Sequence, residues 1–238
     1  MYKYELHCHT SEVSGCAVTP AAKMIDFYKK CGFSGVVIAD HLLSPTCTVP
    51  KELPWNERID LFCKGYENAK KRGDEIGINV FFAWESRGDF VTLGLGKEWL
   101  KQHENLDKMS AFEYLETVRY AGGYIIHAHP FREREYIKAI QLYPRKVDAI
   151  ETINTENSDF QNSVADYFAD KYKLTRAAGS DSHSDKKSRL GVVELSFKAK
   201  SLDDIIEAMK NNSHTVKEYE ILREDDNIKL KERIPVIE

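Results

Sequence analysis

Six short apolar runs of this chain end in a histidine, an aspartate or a glutamate. The runs are residues 4–9, 36–41, 80–85, 124–129, 148–151 and 177–183. A short apolar run that stops at a turn is typical of a buried strand. Metal-ligating side chains at the ends of several buried strands are how an α/β barrel builds its active site. The sequence therefore predicts a barrel with a polynuclear metal site at its mouth.

One domain accounts for most of the chain. Its 238 residues suit a single barrel, and alternating strand and helix patterns favour βα units with a mostly parallel sheet. We expect one barrel domain over residues 1–222 and a charged tail over residues 223–238 that can belong to the same domain. Helices are expected near residues 55–72 and 133–142, and a capping box of Ser110 and Glu113 predicts the start of another.

Composition argues against several classes of protein. The net charge is −4 and the pI about 6.1, whereas an extensive nucleic-acid surface would need an excess of Lys and Arg. No apolar stretch approaches the roughly 18 residues of a membrane span, and we expect no signal peptide before the first strand pattern. The five cysteines are odd in number and include no CxxC, so we expect reduced thiols in a cytoplasmic protein. The oligomeric state stays open.

Two pairs of potential ligands have a spacing of two residues. His7 and His9 form one pair, and Asp181 and His183 form the other. Residues i and i+2 of a strand face the same side, so both members of a pair can reach one metal ion. An isolated pair is equally compatible with ordinary surface or core histidines. The distribution favours ligands, because only two of the eight histidines lie outside the six strand ends.

Two further strand ends carry candidate ligands. Glu85 closes an apolar run, where a bare carboxylate costs several kcal/mol unless it is paired or binds a metal. An ion pair with Arg87 is the alternative for this residue. His129 precedes Pro130, which ends the strand, so His129 is a better ligand candidate than His127. We expect His127 either to support a ligand or simply to pack in the interior.

The motifs, taken together and in order, resemble the PHP (polymerase and histidinol phosphatase) superfamily. They are His7-Cys8-His9-Thr10, Asp40-His41, Glu85, Ala128-His129-Pro130 and Gly179-Ser180-Asp181-Ser182-His183. The resemblance implies an α/β fold of the PHP type, which is a distorted seven-stranded (β/α)7 TIM-like barrel. It also implies two or three divalent metal ions and the hydrolysis of phosphate esters.

The same resemblance assigns ligands position by position. One metal would be held by His7, His9, Glu85 and Asp181. Glu85 would bridge to a second metal, which His129 also binds, and His41 and His183 would bind a third. Asp181, Glu85 and His183 would be the catalytic residues.

Two positions depart from the family pattern. The family usually has an Asp or a His shortly after the HxH pair, but residues 11–16 offer neither, and residues 94–97 lack a His that often follows the third strand. Glu12 and Asp89 are the candidate replacements, and Asp40 is a further candidate ligand beside His41.

The ligand types indicate the metal and the reaction. Mixed His and carboxylate ligands suit Zn, Mn or Fe, and a bridging carboxylate suits a pair of metals. Such a pair stabilises the negative charge that spreads over a phosphoryl group in its transition state. The predicted substrate is a small phosphorylated metabolite or a nucleotide. Arg132, on the loop after His129, is the candidate clamp for its phosphate.

Two other functions fit parts of the pattern. A metal-dependent amidohydrolase also has HxH on its first strand, but such enzymes usually have a bridging lysine where this chain has Glu85. A non-catalytic metal-binding protein would explain the two departures from the family pattern. A proofreading exonuclease is disfavoured by the acidic net charge.

Overall fold

The computed structural model of the protein describes residues 1–86, 88–135, 137–224 and 227–235. The strands are β1 (Tyr2–Cys8), β2 (Gly35–Ile38), β3 (His41–Leu42), β4 (Asn79–Phe82), β5 (Trp84–Ser86), β6 (Phe90–Leu93), β7 (Tyr124–His127), β8 (Ala149–Asn154), β9 (Thr175–Gly179), β10 (Arg189–Leu195), β11 (His214–Glu224) and β12 (Asn227–Arg233). The helices are α1 (Ala21–Lys30), α2 (Trp55–Phe62), α3 (Lys64–Ile76), α4 (Lys97–Lys101), α5 (Ala111–Tyr120), α6 (Asp159–Tyr172) and α7 (Leu202–Lys210), with a 3₁₀ turn at Glu104–Lys108.

The strands form two six-stranded sheets of mixed direction. The first has the order β12-β11-β10-β1-β2-β4 and the second the order β3-β5-β6-β7-β8-β9. Both sheets contain parallel pairs, such as β1–β2 and β8–β9, as well as antiparallel pairs, such as β1–β10 and β5–β6. The α/β class is confirmed. Within the described ranges the strands do not form one closed sheet of seven.

Two segments of the chain pass from the first sheet to the second. Strand β2 ends at Ile38 and β3 begins at His41, while only Ala83 separates β4 from β5. Hydrogen bonds continue through both breaks, since Ala83 N donates to Ile38 O at 2.9 Å and Glu85 N donates to Asp40 O at 3.0 Å. The candidate ligands His41 and Glu85 therefore lie directly after the breaks.

The sheets also meet through backbone hydrogen bonds at the end of β1. His9 N donates to Ser182 O at 2.9 Å, and Ser182 N donates to His7 O at 3.2 Å. These bonds place the HxH pair beside the loop that follows β9. Asp181 and His183 flank Ser182, so the two pairs predicted from the sequence lie next to each other.

The predicted charged tail contains regular structure. Strand β11 continues to Glu224, and β12 pairs antiparallel with it. Arg233 on β12 binds the buried carboxylate of Glu218 at 2.9 Å and that of Asp159 at 2.6 Å. The other tail residues, 225–226 and 236–238, lie outside the described residues.

Some observed helix boundaries match those predicted from the sequence, and others do not. The capping box of Ser110 and Glu113 is confirmed at the start of α5. The expected helix near residues 55–72 is two helices, and the second continues to Ile76 because Gly77 supplies the left-handed conformation that ends it. Each helix in the described ranges falls short of the length and apolar character that a membrane span requires.

The expected helix over residues 133–142 is wrong. The described part of this segment has turns and irregular structure. Its apolar side chains Ile137 and Ile140 line a cavity beside the candidate ligands instead of packing against a sheet.

Candidate metal centre

Four of the predicted ligands converge at the seam between the sheets. His9 Nε2 lies 3.1 Å from Asp181 Oδ1 and 3.6 Å from Glu85 Oε2. His7 Nε2 lies 3.5 Å from Glu85 Oε2 and 3.6 Å from Asp181 Oδ1. Donor atoms bound tetrahedrally at about 2.1 Å from one metal ion lie roughly 3.4 Å apart. The four side chains therefore have the spacing of a metal-binding group.

Several atoms of this group lack hydrogen-bond partners. They are His7 Nε2, both ring nitrogens of His9 and Glu85 Oε2, and none has a hydrogen bond of acceptable geometry to any described residue. All three side chains are buried. Unsatisfied buried polar atoms are costly and uncommon in native proteins. A cation bound in this group would satisfy His7 Nε2, His9 Nε2 and Glu85 Oε2, so the donor set fits a divalent metal.

A second group shares Glu85. His129 Nε2 lies 3.1 Å from Glu85 Oε1, while Asp89 Oδ2 lies 3.9 Å from His129 Nδ1. Donor atoms of Glu85, Asp89 and His129 all lie within 4.8 Å of one another. Glu85 directs one carboxylate oxygen to each group, as a bridging ligand must. Asp89 is thus placed where it can serve as the replacement ligand suggested by the sequence.

A third group contains three imidazoles. Donor nitrogens of His9, His41 and His183 lie within 4.8 Å of one another. The ring of His9 packs 4.2 Å from that of His41 and 4.3 Å from that of His183, measured between centroids. His41 Nδ1 also lies 2.8 Å from Glu85 Oε2. His41 and His183 are partly exposed, so this group faces solvent more than the others do.

Cys16 lies beside the third group, which the sequence analysis did not anticipate. Its thiol lies close enough to the imidazoles of His41 and His183 for both to influence its ionisation. Partial burial opposes ionisation, but the two imidazoles prevail and lower the pKa of Cys16 to about 6. All five cysteines are free thiols, as expected. The signal in the sequence was a cysteine in the stretch where the family usually has an Asp or a His.

The charge states of the buried groups suit metal binding. Burial would raise the pKa values of Glu85 and Asp181, but neighbouring imidazoles hold both well below their ordinary values, with a contribution from Arg132 at Asp181. Burial lowers the pKa of His9, assisted by His41. Burial would also lower the pKa of His7, but the surrounding carboxylates raise it well above normal. A metal ion would supply the positive charge that a proton on His7 otherwise provides.

Two buried glutamates hold His7, the first member of the HxH pair. Glu151 Oε1 lies 2.9 Å from His7 Nδ1, and Glu151 Oε2 accepts from His129 N at 3.0 Å. Glu5 accepts from His7 N and from Ser180 N, each at 2.8 Å. The sequence analysis placed Glu151 at a strand end but gave it no role, and it missed Glu5. Both are glutamates inside otherwise apolar strands, which was the available signal.

Two other candidates have different partners. Glu12 accepts hydrogen bonds from Ala21 N at 3.0 and 3.1 Å, so its carboxylate caps α1. Asp40 accepts from Thr10 N, Thr10 Oγ1 and Ser14 Oγ, each at 2.7 Å. Neither belongs to a group of metal-ligating atoms within the described part of the chain. Asp40 instead fixes the loop between the HxH pair and α1.

Arg132 is held next to a candidate ligand. Its Nη2 lies 2.7 Å from Asp181 Oδ2 and donates to Asn154 Oδ1 at 2.8 Å, while its Nε donates to Asn157 Oδ1 at 3.0 Å. The side chain is almost buried. Its ion pair is therefore with Asp181, and not with the neighbouring surface glutamates. Arg87, the predicted alternative partner of Glu85, lies outside the described residues.

A cavity of about 440 Å³ opens beside the second group. Asp89, His129 and Arg132 form its polar end, and Met109 and Ile140 contribute to an apolar wall. His127 also lines the cavity, with its ring 5.2 Å from that of Phe90. Burial, assisted by the charge of His129, lowers the pKa of His127 to about 3. His127 therefore belongs to the cavity wall and carries no charge at neutral pH.

The backbone is strained at two candidate ligands. His129 has a φ of 30° and Asp181 a φ of 50°. Residues with a side chain rarely adopt these values, which cost of order 1–3 kcal/mol and concentrate at functional sites. The surrounding structure holds both residues in a conformation that directs them into the cluster.

Comparisons with solved structures show that this fold is known. A two-domain protein from Bacteroides vulgatus ATCC 8482, containing a predicted PHP-like metal-dependent phosphoesterase, matches with a TM-score of 0.65 and 15% identity over 90% of this chain. This chain spans only 64% of that protein. A putative metal-dependent phosphoesterase from Bifidobacterium adolescentis ATCC 15703 matches with a TM-score of 0.55 and 15% identity, over 86% of this chain and 94% of its own.

An amidohydrolase from Chromobacterium violaceum, solved with bound sulfate and no metal, is also similar. Its TM-score is 0.57 at 14% identity, over 87% of this chain and 96% of its own. No protein-family model and no curated protein matches the sequence. At these identities the likeness establishes a shared fold. The chain therefore has the fold found in PHP-like phosphoesterases, as the order of its motifs predicted.

Proposed function

We propose that this protein is a metal-dependent phosphoesterase that uses two or three Zn, Mn or Fe ions. Its substrate would be a small phosphorylated metabolite or a nucleotide. The observation that carries the proposal is the convergence of four overlapping ligand groups, two of which share the carboxylate of Glu85. Adjacent groups joined by one carboxylate are the arrangement that a polynuclear hydrolytic site requires.

The groups of donor atoms suggest which residues would bind each metal ion. His7, His9, Glu85 and Asp181 would hold the first ion, and Glu85, His129 and Asp89 would hold the second. His41 and His183 would contribute to the third. Bound ions of this kind lower the pKa of a water molecule and stabilise the charge of a phosphoryl group during in-line displacement. Asp181, Glu85 and His183 are accordingly the residues on which activity should depend most.

Arg132 would orient the substrate at the polar end of the cavity. The guanidinium is always charged and presents a fork that matches the geometry of a phosphate. In the structure it lies against Asp181, between the ligand groups and the cavity. It would keep Asp181 ionised and donate to non-bridging phosphate oxygens. The apolar wall of the cavity would receive the organic part of the ester and limit access of water there.

The fold and the cellular setting are part of the same proposal. We infer that the two sheets are the halves of a distorted PHP-type barrel, supported by the strands that pass between them and by the bonds between His9 and Ser182. A cytoplasmic location is supported by the five free thiols.

An amidohydrolase is the second candidate, and the similarity to the Chromobacterium violaceum protein favours it. The residue shared between two ligand groups argues for the phosphoesterase, because it is Glu85, where amidohydrolases usually have a lysine. A non-catalytic metal-binding protein would keep the groups without turnover.

One set of measurements tests all three functions. Protein purified without chelator should contain more than one Zn, Mn or Fe per chain by elemental analysis. With each metal added back, it should hydrolyse members of a phosphate-ester panel and leave amides and lactones intact. Amide or lactone turnover would establish the amidohydrolase, and bound metal without any turnover would establish the binding protein. Protein that neither contains nor gains a transition metal would refute the proposal.

A further inference from the structure

The third group of ligands is short of a protein donor. His9 directs Nε2 toward Asp181 and Glu85 of the first group, which leaves His41 and His183 to hold a third ion. Zinc in protein sites is usually held by three or four side chains. His9 Nδ1 is fully buried next to these two rings and has no hydrogen-bond partner among the described residues. In this part of the centre, a buried ring nitrogen therefore lacks a hydrogen-bond partner, and only two imidazoles are available as ligands.

The loop that carries Cys16 is anchored to both of those histidines. Ser14 Oγ accepts a hydrogen bond from His41 N at 3.1 Å. Val18 N donates to His183 O at 2.8 Å. Cys16 lies between these two anchors, and Gly15 N donates to Thr46 O at 2.7 Å to hold the turn. The position of Cys16 is thus fixed relative to His41 and His183 by backbone bonds on either side of it.

The side chain of Cys16 lies beside the two rings. Although burial opposes ionisation, both imidazoles act on its thiol and lower its pKa to about 6. Cys16 is exposed, whereas Cys8, Cys31 and Cys63 are buried. An ion arriving from solvent would meet a sulfur atom and two imidazoles at the surface of the cluster.

We propose that Cys16 is the missing ligand of the third metal position, where its thiolate binds together with His41 and His183. On binding, the thiol proton passes to solvent and a metal–sulfur bond replaces it. A thiolate is a soft ligand, so this position would favour Zn²⁺ over Mn²⁺, unlike the carboxylate-rich first and second positions. The inference rests on the proposed metal centre, but not on the reaction that the centre catalyses.

Cobalt provides a direct spectroscopic test. Metal-free protein should be titrated with Co²⁺, which gives a near-ultraviolet charge-transfer band only when a thiolate is bound, and weaker visible bands with other ligands. We expect the charge-transfer band in the wild type and its loss in Cys16→Ser, with the visible bands of the other positions retained. Cys47→Ser is the matched control, because Cys47 pairs through its backbone with Ser14 of the same loop. This control should keep the charge-transfer band.

The outcomes separate this inference from the proposed metal centre. Cobalt bound without a charge-transfer band, or a band that persists in Cys16→Ser, would overturn the role of Cys16 while leaving the centre intact. Failure to bind any cobalt would overturn both. Cys16→His should restore the ion lost in Cys16→Ser without restoring the band, since imidazole replaces the thiolate as a ligand.

Zinc binding and thiol reactivity give independent readouts. After equilibration with excess Zn²⁺ and desalting, Cys16→Ser should retain one zinc fewer per chain than the wild type. In the wild type, Zn²⁺ should slow alkylation of Cys16 by iodoacetamide at least tenfold, followed by peptide mass mapping, with Cys47 as the internal reference. Equal zinc contents, or equal alkylation rates of Cys16 with and without zinc, would refute the assignment.

Discussion

His7 Nδ1 lies 2.9 Å from Oε1 of Glu151, and this contact turns the opposite ring nitrogen toward Glu85 and Asp181. A carboxylate behind a histidine fixes the orientation and the tautomer of the ring and increases its basicity as a ligand. Glu151 also accepts a hydrogen bond from the backbone of His129. One glutamate thus orients ligands of two different groups without entering either.

Replacement of Asp181 by asparagine should remove metal and activity together. The change keeps the shape of the side chain but loses the negative charge shared with His9 and Arg132. Mutation of even a supporting residue of a metal site typically lowers metal affinity or activity about 10–100-fold. We therefore expect the phosphatase kcat/KM to fall at least about a hundredfold, and elemental analysis to show a reduced metal content. The control is Asp185→Asn, on the same loop but paired with Lys23 at the surface. Wild-type turnover in Asp181→Asn would contradict its assigned role.

Arg132 should matter for the substrate and not for the metal. We expect Arg132→Ala to raise KM, lower kcat or do both, by more than about tenfold, because a hydrogen bond to a charged group contributes about 1.5–3 kcal/mol. Arg132→Lys keeps the charge but loses the fork, so it should recover only part of this loss. The matched control is Arg134→Ala, whose guanidinium donates to backbone carbonyls of the same region. Kinetics of Arg132→Ala within about twofold of wild type would exclude a phosphate clamp.

Gly179 leaves room for the contact between His7 and Glu151. A Cβ atom at this position would lie 2.2 Å from Glu151 Oε1 and 2.6 Å from the Cβ of His7. Gly179→Ala should therefore lower the free energy of unfolding by about 1–3 kcal/mol, and should weaken metal binding through the displaced glutamate. Gly96→Ala, which has open space around the added atom, should cost less than about 1 kcal/mol. Unaltered metal affinity in Gly179→Ala would show that Glu151 does not position His7.

Strand β12 should contribute to stability through Arg233. Removal of this side chain leaves the buried carboxylate of Glu218 with Arg189 as its remaining guanidinium partner. We expect Arg233→Ala to reduce the free energy of unfolding by about 1–3 kcal/mol in urea denaturation, since a buried charge loses hydrogen bonds. Lys231→Ala, an exposed change on the same strand, should lie within about 0.5 kcal/mol of wild type. A neutral Arg233→Ala would mean that β12 is dispensable for the fold.

The ligand candidates were predictable because their chemistry is local. A strand end such as Glu85 or Asp181 is visible in the sequence as a polar residue after an apolar run, and two sheets with parallel pairs bring such ends together. Their proximity in the structure agrees with that prediction, although their role as ligands stays a prediction. Asp89 was anticipated for another reason, as a replacement for a ligand that the family pattern has and this chain lacks.

Other features depended on distant contacts that no local pattern encodes. Glu12 looked like a possible ligand, but its carboxylate accepts hydrogen bonds from Ala21 N at the start of α1. Cys16 drew attention only as an unpaired thiol, because its neighbours His41 and His183 come from two other parts of the chain. The segment 133–142 was expected to be a helix, yet Ile137 and Ile140 line a cavity. The barrel was predicted from strand-end ligands and from the PHP resemblance, whereas the described strands form two sheets of mixed direction.

The hydrogen bond from Ser180 N to Glu5 joins residues 175 positions apart in the sequence, and it has a consequence for the order of assembly. Contacts between residues so far apart form late in folding, because a long loop must close before they are made. During synthesis, β1 leaves the ribosome long before the segment that carries Asp181. The contacts of His7 and His9 with Asp181 can therefore form only after the segment that carries Asp181 has emerged. Metal loading should accordingly be one of the last steps in the maturation of the protein.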